Sequence, residues 1–339
     1  MRANRCFPQE PSKNHKRHAV KNGDLLVSWS ATLDVFIWDR GDAVLNQHIF
    51  RVIPDSSLVL KPYLFYALKS IMDELRSKTH GATMKHITKG PFEKTEIPVP
   101  PLAEQERIVK LLDEADELRK LRAQADRRTA DLIPALFHEM FGDPASNPKG
   151  WTKISLAEAG KLDRGRSKNR PRDDASLYGG KYPFIQTGDV AKSNGLITSF
   201  TQTYSEKGLA QSRMWPAGTL CITIAANIGK TAILTFPACF PDSLVGFVPG
   251  NKVIVDYVRQ WLVTMENSLE EAAPQMAQKN INLKILSELP IPIPPLPLQK
   301  EFAHRVTEIR EMEADQAASK TRLDTLFQSL LHRAFEGEL

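Results

Sequence analysis

The two halves of this 339-residue chain carry the same strings in the same register, so the fold must accommodate two copies of one module. Ile97-Pro98-Val99-Pro100-Pro101-Leu102 returns 194 residues later as Ile291-Pro292-Ile293-Pro294-Pro295-Leu296. A glutamine follows each string, Gln105 and then Gln299. A long segment without internal glycine comes next. Both segments end alike, with Leu132, Leu136, His138 and Phe141 matched by Leu326, Leu330, His332 and Phe335. Upstream, Lys85 and Ile87 match Lys279 and Ile281, and Gly23-Asp24-Leu25-Leu26-Val27 matches Gly218-Thr219-Leu220-Cys221-Ile222. Each copy is therefore expected to be a globular part followed by a long helix.

Proline fixes the connectors. It lacks an N–H and biases the preceding residue away from the α region, so the two Pro-rich strings read as stiff, extended links. The segments after them read as helices of about 60 Å at 1.5 Å per residue. Ile108, Leu111, Ala115, Leu118 and Ala125 follow a 3–4 spacing, as do Ile309, Met312, Leu323, Leu326 and Leu330. Arg122 and Gln316 interrupt these seams, and Pro134 is expected to kink the first helix near its end. A lone amphipathic helix of this length cannot bury its seam, so the two are expected to pack against each other, with Leu118 and Met312 buried between them. The globular parts read as β-rich, with strands at Gly218 to Ile224, Thr231 to Phe236 and within Asp24 to Ile53. Helices are expected from Pro62 to Leu75 and from Val255 to Leu269. A short strand over Tyr182-Pro183-Phe184-Ile185 is expected to lead into a Thr-Gly-Asp turn.

Charge separates these parts. Leu102 to Phe141 holds 7 basic and 9 acidic residues and Leu298 to Leu339 holds 6 and 8, so these segments sum to −4 and the rest of the chain carries +9. Lys161, Arg164, Arg166, Lys168, Arg170 and Arg172 form one basic run. Lys13, Lys16, Arg17 and Lys21 form another, with His15 and His18 between them. Such runs attract phosphate through Coulomb attraction and counterion release, and a solvated surface loop is the competing reading. Composition, with 42% hydrophobic and 25% charged residues, is that of a folded chain of two or three domains. No apolar run reaches the roughly 18–20 residues that span a bilayer, so a cytoplasmic location is expected. Cys6, Cys221 and Cys239 have no CxxC spacing and read as free thiols.

The same sequence carries no complete catalytic motif. Gly229-Lys230-Thr231 resembles the end of a P-loop, but Ile224 stands where its first glycine must be. There is no Asn/Asp-Pro-Pro-Tyr/Phe string, no G-x-G-x-x-G, no H-E-x-x-H and no G-x-S-x-G. His138 and His332 recur near helix ends, where a histidine interacts with the helix dipole or packs. A binding module fits better than an enzyme.

Taken together, Ile97 to Gln105, Ile291 to Gln299, Leu132 to Gly142 and Leu326 to Gly337 resemble the specificity subunit of type I restriction–modification enzymes. Tyr182 to Asp189, Gln278-Lys279-Asn280-Ile281 and Met84-Lys85-His86-Ile87 are similar to further strings of that family. The resemblance implies an α+β chain of two mixed β-rich target-recognition domains, separated by two long antiparallel helices forming a coiled coil. The domains would be 1–96 and 151–290, the connectors 97–101 and 291–297, and the conserved helices 102–142 and 298–339. The family reads bipartite double-stranded DNA and is not itself catalytic. Methyltransferase and motor-nuclease subunits are its partners, and S-adenosylmethionine, ATP and magnesium belong to them; this chain is expected to hold no cofactor, no metal and no membrane contact.

Expected phosphate contacts are Arg164, Arg166, Lys168, Arg170, Arg172, Lys85 and Lys279. Candidates for base readout are Gln186, Thr187, Asn227, Gln278, Lys279 and Asn280, because amides suit adenine edges and lysine suits guanine; turn chemistry alone is the competing reading. Leu118, Leu121, Ile309 and Met312 mark the helices expected to bind partner subunits. The first domain departs from the family pattern. It begins at the equivalent of about residue 196, so a counterpart of Trp151 to Gly195 is missing and a reader of one half-site is an alternative. A protein-only coiled-coil adaptor and a nuclease or methyltransferase with unrecognised motifs are the remaining readings.

Overall fold

Leu25-Leu26-Val27 and Leu220-Cys221-Ile222, the two copies of one apolar string, each become the middle strand of a sheet in the computed structural model. The structure describes residues 19–28, 34–46, 48–78, 96–144, 146–168, 174–225, 228–272 and 282–339. The chain divides into a first unit, Met1–Ala125 with Asp315–Leu339, and a second, Asp126–Ala314. In the first unit the strand Leu25–Ser28 lies between Asp34–Ile37 and Ile49–Val52, all antiparallel, with Leu25 opposite both Ile37 and Val52. In the second, Leu220–Thr223 lies between Thr231–Leu234 and Leu244–Pro249, with Leu220 opposite Ile233 and Phe247. The register repeats. Two further strands widen the second sheet: Gly160–Arg164 pairs antiparallel with Leu244–Pro249, and Leu196–Ile197 pairs parallel with Thr231–Leu234.

A helix packs on each sheet, Lys61–Lys78 in the first unit and Val255–Ala272 in the second. Their buried tyrosines are equivalent. The Tyr63 hydroxyl donates to the Pro98 carbonyl at 2.8 Å, and that of Tyr257 to Pro292 at 2.7 Å. Burial pushes the Tyr63 phenol up to about 12, with the Glu104 charge adding to the shift.

The glutamine after each Pro-rich string is fully buried and stitches connector to module. Gln105 Nε2 donates to the carbonyls of Leu58 and Pro100 at 2.9 and 2.8 Å, and its Oε1 accepts from Leu60 N–H at 2.8 Å. Gln299 repeats the pattern on Lys252, Pro294 and Ile254, at 3.1, 2.8 and 2.8 Å. Buried amide groups need such partners, which explains the repeated residue type.

The long segments are helical, Leu102–Ala130 followed by Leu132–Phe141, and Leu296–Glu336. The first is interrupted at Asp131 rather than bent at Pro134. Pro134 has no N–H to give the Ala130 carbonyl, and the helix breaks at that missing bond. Each unit takes its helical core from both. In the first, Ile108, Leu112 and Ala115 share a cluster with Phe327, Leu331 and Ala334. Tyr63 meets Pro98 and Phe335 while Tyr66 meets Asp113 and Phe327, so the two helical pieces run antiparallel. In the second, Phe137 and Phe141 pack edge-on against Phe302 at 5.6 and 5.3 Å and also contact Tyr257.

The expected seam is corrected here. Leu118 and Met312 are 50% and 38% exposed, Leu121 is 51% exposed and Ile309 is half-buried. The buried positions are Gln105, Ile108, Leu112 and Ala115, and the same 3–4 spacing then reaches Arg119. Arg119 donates to Asp324 at 2.7 Å and lies over the Phe327 ring, 4.4 Å from its centre. A guanidinium thus occupies the position at which a leucine was expected. The second connector is more ordered than a bare link, because Pro290–Pro292 forms a two-stranded ribbon with Lys153–Ser155. Its helix starts at Leu296, two residues before the expected boundary.

Candidate nucleic-acid interface

The basic run leaves the second sheet at its edge strand. Beyond Arg164 the chain stays extended, so side chains alternate: Arg164, Arg166 and Lys168 are exposed, while Gly165 and Ser167 are buried. Three cations therefore share one face. The segment is anchored from behind. Gly165 N–H donates to the Leu244 carbonyl at 2.9 Å and Arg166 N–H to Phe240 at 3.0 Å, and the Arg166 carbonyl accepts from the Ser212 hydroxyl at 2.8 Å. A side chain at 165 would collide with the carbonyl oxygens of Phe240 and Pro241, so glycine is required by close approach.

The acid within the run is already neutralised. Asp163 accepts from Arg213 at 2.6 Å, while Arg166 stands 4.0 Å away. Arg213 also lies over the Trp215 ring, 4.1 Å from its centre. Arg213 is not among the residues expected from the sequence; the Arg-x-Trp spacing offers a local signal for the ring contact, but the pairing with Asp163, 50 residues away, has none. Arg164 spends one donor on the Asp242 carbonyl at 3.1 Å.

The segment that holds Arg166 also holds Ile185, the residue before Gln186. Cys239 O accepts from Ile185 N–H at 2.9 Å, and the next carbonyl, Phe240, holds Arg166. The expected Thr-Gly-Asp turn is instead the start of a short helix, Thr187–Lys192. Asp189 closes it by accepting from Gln186 N–H at 2.8 Å, an acid three residues on satisfying an unpaired donor. The Gln186 side-chain amide donates to Gln202, leaving the exposed residue oriented by a neighbour. Thr187 is half-buried. Nearby, Asp174 accepts from the Ser176 hydroxyl and N–H and from Lys207, which together hold its carboxyl down at about 2. Hydrogen bonding from Tyr182, then Lys181, lowers the Glu206 carboxyl.

Lys85, Arg170, Arg172, Asn227, Gln278, Lys279 and Asn280 lie outside the described residues, as does Cys6. Cys221 and Cys239 are buried free thiols. Among the described residues, no group of three or more His, Cys, Asp or Glu side chains could hold a metal ion, and no helix is long and apolar enough to cross a membrane.

The model of the type I restriction modification DNA specificity domain matches residues 9–126 and 148–318, one segment for each copy of the repeat. The chain belongs to that family. As a specificity chain it is 24% identical over 357 residues to the type I restriction enzyme EcoBI specificity subunit of Escherichia coli, covering 93% of this chain and 73% of that one. It is 23% identical to the MjaVIII specificity subunit of Methanocaldococcus jannaschii, over 96% of this chain and 81% of that one. Among solved structures, a type I restriction–modification specificity subunit from M. genitalium matches with a TM-score of 0.57 at 17% identity, covering 93% and 83% of the two chains. A chain from a type I system solved to explain complex assembly and conformational transition gives 0.65 at 22%, covering 95% and 83%. These likenesses establish the α+β fold of the specificity chain.

Proposed function

We propose that the second unit reads one half of a double-stranded DNA target. The observation that carries this reading is the extended segment from Arg164 to Lys168, which puts three cations on one exposed face. Arg164, Arg166 and Lys168 hold the phosphate backbone, with Arg170, Arg172 and Lys279 as further candidates in this unit and Lys85 as a candidate in the first. Gln186 is the leading base reader, with Thr187, Asn227, Gln278, Lys279 and Asn280 as further candidates. The chain contributes recognition rather than catalysis. Methyltransferase and motor-nuclease subunits dock on its helices, marked by Leu118, Leu121, Ile309 and Met312, and bring S-adenosylmethionine, ATP and magnesium. It works in the cytoplasm.

A second reading has its own support: the chain reads one half-site rather than two. Among the described residues the first sheet has three strands where the second has five, and the strand that carries Arg164 has no counterpart there. Selection of bound duplexes from a randomised library, using the full chain, separates the two. A bipartite consensus supports two readers and a single short consensus supports one. Binding without any consensus, or without a steep salt dependence, would remove the DNA-reading proposal.

A further inference from the structure

One carboxylate stands among the cations of the basic run, and the fold decides which of them it takes. Asp163 belongs to the inward row of the extended stretch with Gly165 and Ser167, while Arg164, Arg166 and Lys168 form the outward row. Its Oδ1 accepts from Arg164 N–H at 2.9 Å. Its Oδ2 accepts from Arg213 Nη1 at 2.6 Å, and Arg166 Nη2 lies 4.0 Å from the same oxygen. Two guanidiniums therefore compete for one atom. If Arg166 took it, that side chain would turn back toward the sheet and leave the exposed face.

The packing around Trp215 settles the competition. Asp163 lies opposite Gly246 in the sheet register, and a side chain at 246 would collide with the Trp215 ring. The bare backbone there lets the indole lie against the sheet at the level of Asp163. Trp215 is fully buried, stacked on Phe240 at 4.8 Å, and tied to Ala238 by two backbone hydrogen bonds of 2.9 and 3.1 Å. Arg213 rests over this ring, 4.1 Å from its centre. Its neighbour Ser212 donates to the Arg166 carbonyl at 2.8 Å, so the strand and the Arg213 segment are joined. A guanidinium stacked on a fixed indole gives up little further freedom when it meets a carboxylate. Arg166, with half of its side chain exposed, would have to give up its rotamers. Arg213 is favoured on geometry and on entropy.

We infer that Arg213 is a positioning residue for the DNA-binding face: it occupies Asp163, so that Arg166 stays on the outward row and is available to phosphate. The inference rests on the reading of that face as a phosphate-binding surface. Arg213 and Trp215 act on the run from behind, one as the partner of its acid and the other as the shelf that holds this partner in place. Among the described residues, Arg166 is the other cation within 4.0 Å of the Asp163 carboxylate. Removing the Arg213 charge therefore leaves the acid to draw in Arg166, and a phosphate contact is lost at a residue that was not itself changed.

The test compares the full chain with Arg213→Met, with Arg166→Ala, with the two combined, and with Arg213→Met combined with Asp163→Asn. Arginine-labelled protein is first read by NMR with no DNA present. In Arg213→Met the Nε–H signal of Arg166 is expected to shift and rotation of its guanidinium to slow, and Asp163→Asn should reverse both. Binding to a duplex of mixed sequence is then followed by anisotropy across salt concentrations. Arg213→Met is expected to weaken it several-fold and to reduce the salt slope by about 1. Adding Arg166→Ala should change neither further, because that contact is already lost. Adding Asp163→Asn should restore both. A role in folding alone predicts no such rescue, and a loss of net charge alone predicts additive effects of the Arg213 and Arg166 substitutions. Arg213→Gln, which keeps a donor amide without the charge, carries the same expectations should the methionine variant not fold. Any of three results overturns the inference: an unmoved Arg166 signal in Arg213→Met, additive losses, or no rescue by Asp163→Asn. A parent chain that binds the duplex without salt dependence removes the DNA reading instead, and the spectra recorded without DNA still decide whether Arg213 keeps Asp163 from Arg166.

Discussion

Gln105 and Gln299 tie three backbone groups each with one side chain, and their loss leaves those groups buried and unpaired. Gln299→Ala is expected to destabilise the second unit by about 2–4 kcal/mol, read as a lower urea midpoint and faster exchange at Ile254. At the basic face, Arg164→Ala, Arg166→Ala and Lys168→Ala should each weaken binding uniformly across sequences and reduce the salt slope by about 1. Gln186→Ala should instead relax preference at one base position, costing about 1–3 kcal/mol there. Asp174 offers a pH marker. Its carboxyl is held below its ordinary value, so the link to Ser176 and Lys207 is intact at neutral pH and is lost as pH falls toward about 2. A carbon NMR titration should place its midpoint near 2, and Ser176→Ala should raise it.

The long helices divide into a face that builds the units and a face left outward. Leu118, Leu121 and Met312 lie on the outward face, together with a surplus of acid that makes DNA a poor neighbour. Charge reversal beside them is expected to abolish co-purification of a methyltransferase subunit while leaving DNA affinity unchanged, as measured by pull-down and anisotropy. The repeat, the middle strands, both packed helices and the helical nature of the two long segments were legible, because each rests on spacing or on proline geometry. The helix register was not. Ile108 and Ala115 of the expected row are buried, but apolar spacing favours Leu111 and Leu118, whereas the row also takes in buried Gln105 and Leu112 and half-buried Arg119, whose partner Asp324 lies far along the chain. The basic run was legible as charge, but its single exposed face depends on backbone that stays extended past Arg164, fixed by Phe240 and Leu244 some 75–80 residues away.

Each unit borrows the tail of a helix that begins in the other repeat. The first unit needs Phe327, Leu331 and Ala334 to complete the cluster around Tyr63 and Leu112. Those residues are made after the whole of the second unit. At about 5–20 residues per second, the stretch from Ala125 to Leu339 takes on the order of tens of seconds to make. The half translated first is therefore finished last, and it waits with Ile108, Leu112 and Tyr63 unsheltered while the second unit, Asp126–Ala314, is made and can close without it. Pulse proteolysis of stalled nascent chains should find the second unit protected once Ala314 has cleared the exit tunnel and the first unit still cleavable. A premature stop after Ala314 would spare every strand among the described residues and yet leave the first unit as the part that quality-control proteases remove.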